Sequence, residues 1–528
     1  MNGDVVTMSE SCRSASAFII ESGRFKAVGS NEEMLVRSEP GCTITDLWGR
    51  AVLPGFIETH SHLSLHAMVS LQLDCSFPLN PGIKDIISGV RNRAGNIRPG
   101  QWIRGWGFDN TRVAERRHLT RHDLDEAAPD VPVFISHTSG HLAYVNSRAM
   151  EIAGIGKGTR SPVGGRIYKS PCGTPTGLLE ENAAIRMVTS KMSPYPEDRL
   201  ETAMADSIAY FHRAGITSCH DAALGYFDEG PQILSLYRRL YAKGELDLRI
   251  YLTLVEELYR SFRWTGFEGI DPAVLRPGSV KLFQDGSIQA LTAALGRGYH
   301  NAPGTRGCLI HSQERLNSLV EKYHQKGCQI AVHANGDRAI SSVLTAVEAA
   351  VQNGTGHDRR HMIIHCQMAG KTHLKQMKAL GCIPSYFVNH VYNWGDKHLD
   401  LFLGPGRAHA INPLKTSLDY GIPFTLHSDA PVSGVDPLVS IHNAVNRQTA
   451  SGRLLGPGER IDAFSALKAY TTDAARCSFE EGLKGSIAPG KYADFVVLSH
   501  NPLKVPPGDI KNIRVLGTVV NGDTAFRA

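Results

Sequence analysis

The stretch that decides the fold is Ala51-Val52-Leu53-Pro54-Gly55-Phe56-Ile57-Glu58-Thr59-His60-Ser61-His62. It joins an apolar run, Ala51 to Ile57, to two histidines that are two residues apart. In an extended chain, residues i and i+2 point to the same face, so His60 and His62 can reach one ligand from the end of a strand. Pairs of surface histidines are common. This pair is strong evidence for a ligand site only if other strand ends also carry such side chains.

Eight more short apolar runs follow, and several are apolar on both faces, as in parallel strands that are buried on both sides. They are Val131 to Ser136, Ile216 to Cys219, Arg249 to Leu254, Ser279 to Phe283, Gln329 to His333, Met362 to His365, Cys382 to Phe387 and Pro423 to His427. Amphipathic stretches such as Asp198 to Ala214, Glu314 to Lys326 and Lys371 to Leu380 are each followed by glycine. This alternation predicts a parallel α/β barrel built from eight of the nine runs, with Val131 to Ser136 in an insertion.

The two ends of the chain have a different pattern from the middle. Ala17 to Gly29 predicts a hairpin with a turn at Ser22-Gly23, and Tyr492 to Leu498 and Ile513 to Val520 predict further strands. The predicted fold class is therefore α/β, a distorted (β/α)8 TIM-like barrel with a small β-sandwich built from both termini. The expected boundaries are 1–50 plus 484–528 for the β-sandwich and 51–483 for the barrel, with an insertion at roughly 64–215.

Composition and charge exclude several classes of protein. The 528 residues are 42% hydrophobic and 20% charged, which is ordinary for a globular chain and excludes a coiled coil, a collagen-like fibre or a mainly disordered protein. The net charge of +5 is spread along the chain, and the longest basic run is Arg359-Arg360-His361, so we expect no nucleic-acid partner. No segment reaches the roughly 18 apolar residues that span a bilayer, so we expect no membrane partner.

Two further observations concern the compartment. Met1 to Asp4 lacks the pattern of a secretory signal, and the ten scattered cysteines form no Cys-x-x-Cys pair. Reduced thiols and a cytoplasmic location are therefore expected. The glycosylation sequon Asn353-Gly354-Thr355 is interpreted as a chance match.

Histidine is enriched, with 23 residues, and several polar side chains repeat the position of His60 and His62 at a strand end. His333 and His365 each end a predicted strand, and Asp429 follows the last one. Active sites of such barrels lie at the C-terminal ends of the strands. The shared position favours a metal site over hydrogen-bonded core histidines.

Lys281 lies inside the apolar run Ser279 to Phe283. A lysine in a buried parallel strand cannot readily extend its ammonium group into solvent, and an unpaired buried charge is costly. The sequence leaves two resolutions open, a chemical modification of the side chain or a close anionic partner.

These motifs resemble the amidohydrolase superfamily of metal-dependent hydrolases, most closely its amidohydrolase 3 branch, which includes N-substituted formamide deformylases. The stretches that carry the resemblance are Pro54 to His62, Val280 to Ser287, Val332 to Asp337, Ile364 to Gln367, Ser428 to Val432 and Gly485 to Asp494. The resemblance covers nearly the whole chain. It implies the barrel and β-sandwich described above, together with a site for one or two divalent metal ions, usually Zn2+.

The resemblance also implies roles for individual residues. The implied metal ligands are His60, His62, Lys281, His333, His365 and Asp429. In this assignment a CO2-derived carboxyl group on Lys281 bridges two metals, and Asp429 is the catalytic base and then the acid. Candidates for substrate binding or for orienting a ligand are His141, Trp106, Glu180 and Asp285, for each of which a structural role stays open. His66, His137, His220 and His427 are interpreted as structural.

The leading functional hypothesis is hydrolysis of a non-peptide C–N bond in a small-molecule substrate, such as an amide, formamide, carbamate or cyclic amide. Deamination is an alternative, but deaminase sites on this barrel usually hold one metal and lack the bridging lysine, so Lys281 argues against it. Ester hydrolysis and decarboxylation are further alternatives. A non-enzymatic scaffold is disfavoured because no implied metal ligand is missing, and a homo-oligomer is compatible with the sequence.

Overall fold

The computed structural model describes residues 1–98, 100–227, 229–261, 267–353 and 358–528. The strands are, in chain order, β1 (Asp4–Val6), β2 (Ser14–Ala15), β3 (Ala17–Glu21), β4 (Arg24–Gly29), β5 (Ala51–Pro54), β6 (Phe56–Ser61), β7 (Leu73–Asp74), β8 (Ile103–Phe108), β9 (Val133–His137), β10 (Leu142–Val145), β11 (Arg166–Lys169), β12 (Pro175–Glu180), β13 (Ile216–Leu224), β14 (Arg249–Val255), β15 (Leu275–Phe283), β16 (Ile330–Ala334), β17 (Met362–His365), β18 (Ile383–Tyr386), β19 (Thr425–Leu426), β20 (Phe495–Leu498), β21 (Val515–Val520) and β22 (Asp523–Arg527). Gly354 and Thr355 of the sequon lie outside the described residues.

The helices alternate with the strands through most of the chain. The α-helices are α1 (Asn31–Arg37), α2 (Leu63–Ser70), α3 (Ile83–Ala94), α4 (Arg121–Ala127), α5 (Ser147–Ile152), α6 (Glu181–Thr189), α7 (Glu197–Arg213), α8 (Gly230–Lys243), α9 (Glu256–Ser261), α10 (Gln313–Gln325), α11 (Asp337–Asn353), α12 (Lys371–Leu380), α13 (His390–Lys397), α14 (Pro405–Ala408), α15 (Leu414–Asp419), α16 (Pro437–Asn446), α17 (Ala463–Tyr470) and α18 (Thr472–Cys477). A π-helix spans His398–Phe402, and 3-10 helices span Pro457–Glu459 and Pro507–Asn512.

Eight parallel strands form the barrel sheet, in the order β6, β13, β14, β15, β16, β17, β18 and β19. Most of their residues are buried, as expected for a parallel sheet covered by helices. Backbone hydrogen bonds also join the first strand to the segment after the last: Asp429 N–H donates to the carbonyl of His60 at 3.1 Å, and His62 N–H donates to the carbonyl of Ala430 at 2.8 Å. The predicted TIM-like barrel is confirmed.

The helices begin and end at recognisable signals. Ser312 caps α10 by accepting a hydrogen bond from the N–H of Arg315. Helix α12 ends before Gly381, whose φ of 65° lies in the left-handed region that glycine adopts without a Cβ clash. Its bounds, Lys371–Leu380, are those predicted from the apolar spacing and the glycine.

The prediction that Ala51 to Ile57 is one barrel strand is wrong. The chain changes sheets at Gly55, so that β5 lies between β1 and β20 and the barrel strand β6 begins at Phe56. A Cβ atom at Gly55 would lie 2.2 Å from Thr217 Oγ1 in β13, which shows how closely the backbone passes the barrel there. The run reads as one apolar segment because both of its halves are buried.

Strands from both ends of the chain form a second sheet, in the order β2, β1, β5, β20, β21 and β22, which we call the terminal sheet. The hairpin of β3 and β4 packs on it through Phe18, Phe25 and Phe495, with ring centroids 5.3 Å apart for Phe18 and Phe25 and 5.2 Å for Phe18 and Phe495. The predicted turn of this hairpin is confirmed, because Ser22 and Gly23 have φ of 50° and 74°, as in a two-residue type I′ turn.

A third sheet lies between β6 and β13 in the chain, in the order β11, β12, β10, β9, β8 and β7, and we call it the inserted sheet. The surplus apolar run of the sequence forms its strand β9. Trp106 lies in β8, His141 lies in the turn between β9 and β10, and Glu180 ends β12. The inserted sheet thus carries three of the candidate substrate-binding residues.

Two global observations complete the description. No helix within the described ranges combines the length and the apolar character needed to cross a bilayer. The ten cysteines are free thiols, as the sequence predicts.

Candidate metal centre

The six implied metal ligands line one cavity at the C-terminal ends of the barrel strands. They are His60 in β6, His62 directly after it, Lys281 in β15, His333 in β16, His365 in β17 and Asp429 after β19. The cavity has a volume of ≈ 70 Å³, and a water molecule takes roughly 30 Å³ in the liquid. It therefore has room for ions and a water molecule, while most of a substrate must lie in an adjoining space.

The donor atoms of His60, His62 and Asp429 have the spacing of a metal site. Asp429 Oδ1 lies 3.1 Å from His62 Nε2 and 3.4 Å from His60 Nε2. Metal–ligand bonds of about 2.0–2.1 Å in a tetrahedron place neighbouring donors about 3.3 Å apart. His365 also offers an atom to this group, since one atom each of His60, His365 and Asp429 lie within 4.8 Å of one another. The donor set therefore fits a divalent metal ion.

Hydrogen bonds to carbonyl groups fix the tautomers of two of the histidines. His62 donates from Nδ1 to the carbonyl of Ala222 at 2.7 Å, and His333 donates from Nε2 to the carbonyl of Gly286 at 3.1 Å. Each ring then presents its other nitrogen as a lone pair, Nε2 of His62 towards Asp429 and Nδ1 of His333 towards His365. Such outer hydrogen bonds orient histidines for metal binding.

His427, interpreted from the sequence as structural, lies within this cluster. Its Nε2 is 3.2 Å from His365 Nδ1, and its Nδ1 is 2.9 Å from Ser385 Oγ. On the other side of the His365 ring, Nε2 is 3.1 Å from Nδ1 of His333. The spacing of His427 and Asp429, two residues apart at a strand end, is the signal that could have found it.

Burial keeps the histidines of the cluster in their neutral, metal-binding form. It lowers the pKa of each of them well below the ordinary value, and the charge of Lys281 acts in the same direction. The four residues are His60, His333, His365 and His427. Lys281 is 1% exposed, and burial lowers its pKa to about 7, with the charge of Asp429 opposing the shift.

Glu58 also escaped the sequence analysis. It is fully buried, and its carboxylate accepts hydrogen bonds from the N–H of His60 at 3.1 Å and of Ser428 at 3.0 Å. Burial raises its pKa to about 8. Glu58 thus ties the strand of His60 to the segment of Asp429. Its spacing of two from His60 places both on one face, which is the sequence signal.

Several residues in or next to the cavity have a strained backbone. The φ angles of His365, Asp429, Ala223 and Glu181 are 67°, 56°, 56° and 62°, in the left-handed region that non-glycine residues rarely adopt. Each such residue costs on the order of 1–3 kcal/mol, and such strain persists where the surroundings hold it, often at functional sites. Strain at His365 and Asp429 fits their proposed part in the site.

Among the candidate substrate-binding residues, His141 reaches the cavity. Its ring centroid lies 5.0 Å from that of His333, and its Nδ1 is 2.8 Å from Glu181 Oε2. Burial acts to lower the pKa of His141, but the charge and the hydrogen bond of Glu181 outweigh it and raise that pKa. Glu181 was not singled out from the sequence, which pointed to Glu180 instead.

Glu180 takes a different place from the one expected. It lines a separate cavity of ≈ 1080 Å³, where its carboxylate accepts a hydrogen bond from the hydroxyl of Tyr168 at 2.6 Å. The reason is that Glu180 is the last residue of β12 and Glu181 the first of α6, so the chain turns between them. Glu181, and not Glu180, contacts His141.

Asp285 supports the site by holding two of its loops. Its buried carboxylate accepts hydrogen bonds from three backbone N–H groups, those of Asn335 at 2.9 Å, Gly336 at 2.8 Å and Ala294 at 2.9 Å. It therefore holds the loops after β15 and β16 together, next to His333, whose Nε2 is 3.8 Å from Asp285 Oδ1. A direct contact with substrate is not part of this geometry.

A second compartment, with both apolar and polar walls, adjoins the metal cavity. It has a volume of ≈ 340 Å³ and shares four lining residues with the metal cavity: Leu65, Trp106, Phe227 and Glu229. Its other walls include the apolar side chains of Met68, Phe134 and Met192 and the polar side chains of Gln72, Arg104 and Gln232. Trp106 thus lines both the compartment and the metal cavity.

Comparison with known proteins identifies the family of this chain. A family model described as "Amidohydrolase family" matches residues 43–526. The putative amidohydrolase YtcJ of Bacillus subtilis is 31% identical to this chain, over 99% of this chain and 98% of that protein. The N-substituted formamide deformylase of Arthrobacter pascens is 29% identical, over 99% of this chain and 97% of that protein.

Solved structures share the fold. An uncharacterized metal-dependent hydrolase from Pyrococcus furiosus has a TM-score of 0.73 and 25% identity, over 96% of this chain and 99% of that one. Its counterpart from Pyrococcus horikoshii OT3 has a TM-score of 0.75 and 24% identity, over 96% and 98%. The resemblance inferred from the sequence is confirmed. The chain belongs to the amidohydrolase family of metal-dependent hydrolases.

Proposed function

We propose that this protein hydrolyses a non-peptide C–N bond of a small molecule, with N-substituted formamides and simple amides as the first substrate class. The observation that carries the proposal is the donor cluster at the mouth of the barrel, with Asp429 Oδ1 3.1 Å from His62 Nε2 and 3.4 Å from His60 Nε2. The similarity to the formamide deformylase of Arthrobacter pascens favours formamides among C–N bonds.

In this proposal His60, His62 and Asp429 would hold one Zn2+ ion, and His333 and His365 would hold a second. When bound, a divalent metal lowers the pKa of water towards about 7 and polarises a substrate carbonyl group. The family supports a divalent metal in general; its identity as Zn2+ rests on the nitrogen and oxygen donors of the site.

Lys281 supplies the bridging anion in this proposal. Its amine reacts with CO2, forming an N–C bond and releasing one proton, which gives a carbamate with two oxygen donors. Burial, which lowers the pKa of Lys281 to about 7, supports the reaction because it makes the neutral, nucleophilic amine available near neutral pH. The modification also removes the problem of a buried ammonium group among histidines.

Asp429 moves the proton. Its carboxylate accepts a proton from the attacking water as the C–O bond forms, and gives it to the leaving nitrogen as the C–N bond breaks. Its position beside His60 and His62 supports this role. Glu58 and His427 hold the residues around it in place.

The adjoining compartment supports an apolar substituent on the substrate. Its ≈ 340 Å³, with Leu65, Trp106 and Phe227 among its walls, has room for an aromatic ring that carries further substituents. A substrate with its carbonyl group in the metal cavity would place this substituent next to Trp106. Formamides and acetamides of aromatic amines are therefore the substrates to test first.

The test combines metal analysis with a set of chromogenic compounds. Protein purified without chelator is analysed for metals and assayed with 4-nitroformanilide, 4-nitroacetanilide, 4-nitrophenyl acetate and aminopurines, scoring 4-nitroaniline, 4-nitrophenol and ammonia separately. We expect bound divalent metal and release of 4-nitroaniline, faster from the formamide. Release of ammonia alone would indicate a deaminase, and full activity of metal-free protein would contradict the mechanism.

A further inference from the structure

Glu181 lies in an unusual setting for a carboxylate. It is 3% exposed, and its Oε2 is 2.8 Å from Nδ1 of His141. Its Oε1 is buried and has no hydrogen-bond partner among the described residues. A buried carboxylate with so few partners is costly unless a charged or strongly donating group compensates it, and His141 is the group in contact.

The backbone is shaped to bring this carboxylate to His141. Glu181 has a φ of 62°, and its N–H donates to the carbonyl of His141 at 2.8 Å, so the two residues are joined through both backbone and side chain. On the other side, a Cβ atom at Gly286 would lie 2.2 Å from Glu181 Oε1. The carboxylate thus occupies space that any larger residue at position 286 would fill.

The same glycine connects the pair to the metal centre. The carbonyl of Gly286 accepts the hydrogen bond from Nε2 of His333, and the ring of His333 lies 5.0 Å from that of His141. His141 itself lines the metal cavity. With Nδ1 directed at Glu181, the opposite ring nitrogen, Nε2, is the one that a ligand in the cavity can meet.

We propose that Glu181 is a positioning residue that fixes the imidazole of His141, so that His141 Nε2 contacts the substrate in the metal cavity. The physical basis is that of other histidine–carboxylate pairs, in which the carboxylate sets the tautomer and the ring orientation of the histidine. This inference rests on the proposed function for the identity of the substrate, but not for the orientation of the ring.

Two variants separate orientation from charge. Glu181→Gln keeps an oxygen acceptor for His141, whereas Glu181→Leu removes it. Both replacements are unbranched at Cβ, so the strained backbone at position 181 is disturbed equally little. With 4-nitroformanilide as the probe, we expect kcat/KM to fall about 10- to 100-fold in Glu181→Leu, the range for losing the partner that orients a metal-site histidine, and less in Glu181→Gln.

A double-mutant cycle shows whether Glu181 acts through His141. In a His141→Ala background, Glu181→Leu should change kcat/KM less than about twofold, because the group it positions is gone. Metal content should stay at the wild-type value in all variants. A role of Glu181 in stability alone would instead lower the thermal midpoint without this dependence on His141.

A matched control uses a second histidine–carboxylate pair of the chain. His212 Nε2 lies 3.1 Å from Asp247 Oδ1, and the carbonyl of His212 accepts a hydrogen bond from Thr518 Oγ1 in the terminal sheet, away from the metal cavity. Asp247→Asn removes the charge of that pair, and we expect kcat/KM to stay within about twofold of the wild type.

Crystal structures of the variants give a readout that does not depend on turnover. In Glu181→Leu we expect the His141 ring to leave its wild-type orientation, and in Glu181→Gln to keep it. If the wild type cleaves none of the compounds but the ring turns, the positioning stands and the proposed function fails. If the wild type is active and Glu181→Leu matches it in kcat/KM and in ring orientation, the positioning is wrong and the function stands.

Discussion

His361 and His365 lie near opposite ends of strand β17, and each contacts a histidine of a neighbouring element. Before the strand begins, the N–H of Ile330 donates to His361 Nδ1 at 3.1 Å, so His361 carries its proton on Nε2 and donates it to His324 Nδ1 at 3.0 Å. At the C-terminal end, the lone pair on Nδ1 of His333 faces Nε2 of His365 at 3.1 Å, beside Lys281. The first arrangement uses both nitrogens of His361 in hydrogen bonds within the protein, and the second gathers ligand atoms.

Charged residues show the same contrast. At the N-terminal end of the barrel, Arg249 donates to Asp494 at 2.6 and 3.0 Å, and the ammonium group of Lys484 lies 2.8 Å from Glu480. Each buried charge there has a partner from the chain itself. Lys281, at the other end, has no ion pair of this kind among the described residues and lies among neutral histidines, with the charge of Asp429 acting on it. A buried cluster that supplies its own partners is structural, whereas one that gathers lone pairs and a lysine calls for a ligand from outside.

The largest effect on turnover is expected at Asp429. Asp429→Asn is nearly isosteric but cannot accept the proton of the attacking water, so kcat should fall at least about 10²-fold, within the range for general-base catalysis. Thermal unfolding and metal analysis should show a folded protein with most of its metal. A kcat within about threefold of the wild type would assign the base to another residue.

Replacing Lys281, the buried lysine at the C-terminal end of the barrel, tests the comparison most directly. Lys281→Ala should lose the second metal and most of the activity, because the bridging anion is gone. Added propionate should restore part of both by filling the vacated space. Mass measurement of intact, non-acidified wild-type protein should show one added CO2 per chain. An unmodified Lys281 at neutral pH and adequate CO2 would falsify the bridge and favour a single metal.

Replacing one histidine at each end of the barrel, His427 or His361, should have a smaller effect, measured as metal affinity. His427→Gln removes the ring that holds His365 through its Nδ1, at 3.2 Å, and should lower metal affinity about 10- to 100-fold. The matched variant His361→Gln disturbs the other end of the barrel and should leave metal affinity unchanged. Metal retained during a chelator titration measures both. Equal losses in the two variants would show that burial, and not the position of His427, sets the affinity.

The sequence could predict which residues stand at the ends of the barrel strands. It could not predict which side chains contact one another there. His60, His62, His333, His365 and Asp429 were found because each stands at the end of an apolar run, and parallel strands bring such ends together. Glu58 and His427 share the same faces at a spacing of two, so the rule that found His60 and His62 would have found them too.

Glu181 lay beyond that rule. Its contact with His141 depends on a left-handed φ at the start of α6 and on the absence of a side chain at Gly286. Neither feature produces a periodic pattern of apolar residues that could be recognised in the sequence. The break at Gly55 was missed for a similar reason, because the close approach to Thr217 in β13 is a tertiary contact.

Replacing Lys484, at the N-terminal end of the barrel, should lower stability and leave turnover unchanged. Lys484 is 4% exposed, contacts Glu480 at 2.8 Å and donates to Ser218 Oγ at 2.6 Å. Lys484→Met keeps much of the volume but leaves Glu480 buried without this partner, which should reduce the free energy of unfolding by about 3–5 kcal/mol. The double variant Lys484→Met/Glu480→Gln should recover part of that loss, because the buried carboxylate charge is gone, although Arg276, 3.6 Å from Glu480, then loses its anionic neighbour. Thermal unfolding of both variants, with kcat and metal content measured on the folded protein at 25 °C, checks the prediction. A loss of metal or of kcat in folded Lys484→Met would show that the two ends of the barrel are coupled.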